Sequence, residues 1–225
     1  MSGASRVHGT FGPRDLRPAP ARAATLRAGI RIEWLTIAWM IVEAAVAIGA
    51  GVAAKSVALM AFGLDSVIEL VSATVVLGRL RAEDRGVGIT AEHVEHAERR
   101  ASRVVGWSLF ALAAYVVVHS AYDLLTHAGP ESSPAGIAIA AAALLVMPPL
   151  VRAKRRISSA LASTALRGDA AEGIVCAYMA ATLLAGLVLR AAFGWWWADP
   201  AAALGIVYFI VREGREALAG GDTCC

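Results

Sequence analysis

SVALMAFGLDSVIELVSATVVL, residues 56–77, decides the fold. Its 22 residues are mostly apolar, with two carboxylates in the middle, Asp65 and Glu69. A hydrocarbon core of about 30 Å is crossed by roughly 20 helical residues, so the stretch is predicted to be a transmembrane helix. Asp65 and Glu69 are four positions apart and project from one face of it. Ionisable groups at bilayer depth are costly, and where they occur they line cavities, ion paths or proton relays. The bland alternative pairs one acid with a basic residue on a neighbouring helix, but no central Lys or Arg is visible in any other apolar segment. Two acids at helical spacing with no evident counter-charge point to a cation site.

The rest of the chain sets the class. Of 225 residues, 58% are hydrophobic and only 17% charged, and the mean hydropathy is +0.61. That is too apolar for an ordinary soluble domain and points to a polytopic helical membrane protein. Most basic residues lie between apolar segments, where they act as topology signals, which argues against nucleic-acid binding. The three cysteines make no disulfide framework, since Cys176 lies inside an apolar segment and Cys224 and Cys225 are adjacent.

Residues 1–27, rich in Arg, Pro, Gly and Ala, are expected to be a mobile tail without a signal peptide. Six apolar segments follow, at about residues 30–52, 56–77, 104–125, 137–151, 165–192 and 198–218, leaving 219–225 as a short C-terminal tail. The first carries Glu43. In the fourth, Pro148 and Pro149 predict a kink or an early stop. Trp195, Trp196 and Trp197 read as an interfacial belt. With both termini cytoplasmic, all but Lys55 and Arg190 of the 21 Lys and Arg lie on the inner side, as the positive-inside rule requires. The expected fold is therefore all-α, a six-transmembrane-helix bundle spanning residues 28–218 with both ends in the cytoplasm.

The fifth segment repeats the geometry of the second. Glu172 and Cys176 are again four residues apart. Carboxylates suit harder divalent cations and a thiolate suits zinc and softer metals. Two helices each offering an i, i+4 pair can build a four-coordinate site, although a buried Cys on its own is usually an inert core residue.

SxALxAxGLDSxxE in the second segment, GDAAEGIVC opening the fifth and WWWADPAAALGI opening the sixth resemble the cation diffusion facilitators, six-helix exporters of divalent metals. The resemblance covers about residues 31–218. It implies a transport site in which Asp65 and Glu69 fill the two positions of the second helix. On the fifth helix it implies Glu172 in place of a His and Cys176 in place of an Asp. A second register uses Asp169 itself as the ligand. The first keeps an i, i+4 pair and the family's distance to the Ala-Asp-Pro start of the sixth helix. Members often carry a soluble C-terminal domain, and this chain is expected to lack one, leaving a homodimer as an open expectation.

These readings lead to a divalent cation exporter exchanging metal for protons across the lipid bilayer, expected in a bacterial inner membrane, with no prosthetic group and no enzymatic activity. The metal site is expected at Asp65, Glu69, Glu172 and Cys176. Zinc is the first expectation for cargo, with cadmium, iron, cobalt and manganese open. A membrane sensor or accessory subunit that binds metal without moving it is the alternative. Lesser candidates are His93 and His96 among Glu92, Glu95 and Glu98, and the pair His119 and Asp123. Glu43 is read equally as a packing hydrogen bond or a proton carrier, and Cys224 and Cys225 as a tail unrelated to function.

Overall fold

Backbone inside hydrocarbon must satisfy its own hydrogen bonds, and a helix does so within one segment. The apolar segments accordingly fold as α1 (Pro20–Ala54), α2 (Val57–Asp84), α3 (Ala91–Thr126), α4 (Pro134–Leu161), α5 (Thr164–Phe193) and α6 (Ala198–Gly220). This computed structural model describes residues 20–86, 91–127, 131 and 133–220, and only the backbone of 91–102, 164 and 220. No strand occurs among the described residues. Five helices, α1 to α5, contain stretches long and apolar enough to cross a membrane. The last turns of α6 hold Arg212, Glu213, Arg215 and Glu216, yet α6 packs as a full member of the bundle, against α2, α3 and α5.

The organising stretch becomes the central helix: α1, α3, α5 and α6 all touch α2. Side chains such as Trp107, Val118, Leu125, Leu145 and Tyr208 are exposed on the outside of the bundle. So much large apolar surface suits lipid rather than water. Trp195 and Trp197 stack at 5.2 Å beside the α5–α6 turn, where they too are exposed.

Serine caps mark three helix starts. Ser56, Ser133 and Ser163 accept hydrogen bonds from the amides of Leu59, Gly136 and Leu166 at 3.1, 3.1 and 3.3 Å. Each satisfies one of the amides that a first helical turn leaves open.

Three boundaries differ from expectation. The helix begins at Pro20, inside the stretch expected to be tail. Pro is tolerated at a helix start, Ala favours the helix, and Arg22 ties this end to Glu83 of α2 at 2.6 Å while Leu26 is fully buried. Residues 1–19 lie outside the described residues. Next, α4 runs through Pro148 and Pro149 and continues ten residues past Val151. Beyond the prolines its basic run is amphipathic, exposing Arg152, Arg155 and Arg156 while burying Lys154, Ser158 and Leu161. Finally, the polar connection before the third segment is helical from Ala91 onward and continuous with it.

Candidate metal centre

Asp65 is 1% exposed, and neither of its carboxylate oxygens makes a hydrogen bond. One turn on, Glu69 is buried too, and its Oε1 has no partner. Nearby, Gly63 lets α2 pass close to α1. A Cβ there would lie 2.7 Å from Ile48 Cγ1 and 2.9 Å from the Ile48 amide nitrogen. The close crossing brings α1, with Glu43, against the face of α2 that carries the acids.

From α5, Glu172 is half-buried with its Oε2 enclosed and unpartnered, and Cys176 is fully buried. The two expected halves of the site do converge: Glu172 interacts electrostatically with both Asp65 and Glu69. Cys176 behaves differently. Its thiol donates to Glu43 Oε1 at 3.5 Å. That carboxylate also accepts from Ser66 Oγ at 2.8 Å and, on Oε2, from Trp39 Nε1 at 2.5 Å. Glu43 is thus a fully engaged hydrogen-bond acceptor linking α1, α2 and α5, which fits the packing reading better than the carrier one.

One acid in this cluster escaped the sequence reading. Glu213 of α6 is 7% exposed, its Oε2 is unpartnered, and it interacts electrostatically with Asp65, Glu69 and Glu172. In sequence it sits between Arg212 and Gly214, in the polar last turns of α6. The signal was in the spacing: Ala203, Ile206 and Ile210 are fully buried, and position 213 continues their stripe at i+3.

Asp169 has another partner. Lys154, in the basic run that follows the fourth apolar segment, is 4% exposed. It makes a tight ion pair with Asp169 and stands 3.4 Å from Glu33 Oε2. The bundle therefore does contain a buried cation. It neutralises acids of α5 and α1 and leaves Asp65 without a hydrogen-bonding or ion-pair partner. Asp169, the ligand of the second register, is thus already ion-paired to a buried lysine.

The remaining candidates stay apart. His119 Nδ1 is 3.6 Å from Asp123 Oδ2, an exposed imidazole beside a buried acid on α3. The side chains of His93 and His96, and residues Cys224 and Cys225, lie outside the described residues. Among the described residues, no three His, Cys, Asp or Glu side chains are drawn close enough to hold one metal ion as they stand. The acids of α2, α5 and α6 face one another at electrostatic rather than ligating range.

A buried carboxylate without a partner is strongly disfavoured in its charged form. Several of them on facing helices call for a cation, for protons, or for each in turn. A family profile described as the cation efflux transmembrane domain matches residues 34–219, which takes in Glu43, Asp65, Glu69, Glu172, Cys176 and Glu213. No curated protein matches the chain at a significant level.

Proposed function

The chain belongs to the cation efflux family, and from that premise we propose that it exports a divalent metal ion from the cytoplasm in exchange for protons, through a site built on the carboxylates of Asp65, Glu69 and Glu172, the expected Cys176 being engaged by Glu43. Family membership carries the coarser statement by itself: this is a multi-pass membrane transporter of metal cations. The observation that best supports the site is Asp65, almost fully enclosed on the helix that touches four others, with both oxygens unpartnered.

Ligands must be deprotonated to bind metal, so metal and protons compete for the same groups. Metal loads from the cytoplasm, protons arriving from outside displace it, and the bundle rocks about the site. Zinc, the first expectation from the sequence, suits a donor set that includes the thiolate, whereas harder divalent ions suit the carboxylates alone. The test is flux into liposomes holding the purified chain under an imposed pH gradient, with zinc, cadmium, cobalt, manganese and ferrous iron run side by side. Gradient-dependent flux that Asp65→Ala abolishes is the expected result. Flux that survives Asp65→Ala combined with Glu172→Ala overturns the site, and tight binding without flux overturns transport.

A further inference from the structure

The carboxylate of Glu213 reaches the cluster on a rigid support. A Cβ at Gly106 of α3 would lie 3.1 Å from the carbonyl oxygen of Gly214, so the two helices approach backbone to backbone beside it. Its neighbour Arg212 is turned away, exposed and paired with Glu216 at 2.9 Å. Glu213 thus faces Asp65 and Glu172 with an enclosed oxygen that makes no hydrogen bond.

We propose that Glu213 is a cation-holding residue, and that the cargo is gripped by carboxylates from three helices (Asp65 and Glu69 of α2, Glu172 of α5, Glu213 of α6), with Cys176 outside the donor set. This rests on the transport reading above and gives it a cargo class. The Cys176 thiol has its proton directed at Glu43, and a thiolate there would face an acid instead of accepting from one. Without the sulfur, the donors are all hard oxygens. Such sets suit Mn²⁺ and its class, whereas zinc and cadmium gain from nitrogen and sulfur. The site is therefore an oxygen cage selecting a manganese-like ion.

Equilibrium binding to the purified full chain tests this, with Mn²⁺ followed by the paramagnetic resonance of the free ion and Cd²⁺ as the soft probe. Glu213→Gln is expected to weaken Mn²⁺ by at least about tenfold, the scale on which groups around a metal act. Cys176→Ser is expected to leave Mn²⁺ within about twofold, well inside the tenfold that marks a lost 1.4 kcal/mol. Glu213→Asp keeps the charge but shortens the reach and is expected to fall between wild type and Glu213→Gln. It decides the matter if Glu213→Gln does not fold. Wild-type Mn²⁺ affinity in the Glu213 variants, or a loss in Cys176→Ser matching that of Asp65→Ala, overturns the inference, as does a wild-type chain that binds Cd²⁺ and not Mn²⁺. A site that depends on Asp65 but is indifferent to Glu213 refutes this inference alone. Binding and flux indifferent to Asp65 refute the transport reading itself.

Discussion

Ser56, the residue that caps α2, donates its hydroxyl proton to Asp199 at the start of α6. The same carboxylate accepts from the Ala58 amide at 3.4 Å. The acid of the WWWADP motif is thus a buried clasp holding the first turn of the central helix to the last helix. Ser56→Ala is expected to cost about 1 kcal/mol, the usual loss of a helix cap. Asp199→Ala is expected to cost about 1–3 kcal/mol, because it strips both donors of their acceptor. Thermal unfolding in detergent checks the sizes. Faster hydrogen exchange at Ala58 and Leu59 localises the effect, and the double variant should cost less than the sum.

At the other end of the bundle, Lys154→Met leaves Asp169 and Glu33 buried without their cation. Removing one partner of a buried pair costs about 3–5 kcal/mol. Combining it with Asp169→Asn and Glu33→Gln should recover most of that loss. Unfolding temperatures that do not move with Lys154→Met would show that the cluster contributes nothing to stability.

Gly63→Ala forces a methyl group into Ile48 and its backbone nitrogen. Overpacking of this kind costs about 1–3 kcal/mol. A larger residue such as Val is expected to push α1 from α2 and lower metal affinity as well as stability. Normal binding by Gly63→Val would show that this crossing does not support the site.

Metal affinity should fall as pH falls. Under the proposed exchange, protons held by the empty carboxylates must leave for a cation to enter, so acid would favour the empty form, by up to about tenfold per pH unit for each proton displaced. The slope of the logarithm of the binding constant against pH counts those protons. Asp65→Asn should reduce it. A slope of zero in the wild type would rule out competition.

Most helices were legible because they rest on a local signal, an apolar run, five of them long enough to cross a membrane, and the paired acids because a period of four is visible in one segment. Lys154 was not, since a lysine after two prolines looks like the end of a span until α5 and α1 are seen packed around it. Glu213 was hidden by its charged neighbours, although the stripe of Ala203, Ile206 and Ile210 pointed to it. The pairing of Cys176 with Glu172 rests on their i, i+4 spacing and on the family resemblance. The thiol's hydrogen bond to Glu43 is a contact between segments 133 residues apart, beyond what any local pattern carries.

The enclosed oxygens of Asp65 also bear on leakage. With Lys154 ion-paired to Asp169 and Glu33 and reaching Glu69 and Glu172 only electrostatically, the site, among the described residues, holds no cation in contact with Asp65. Reorienting it bare would carry uncompensated negative charge through a medium of low dielectric, a step hydrocarbon strongly resists. Under the proposed exchange, a carrier so built turns around when loaded with cargo or protons, and the same carboxylates that bind would oppose an uncoupled slip of the empty machine.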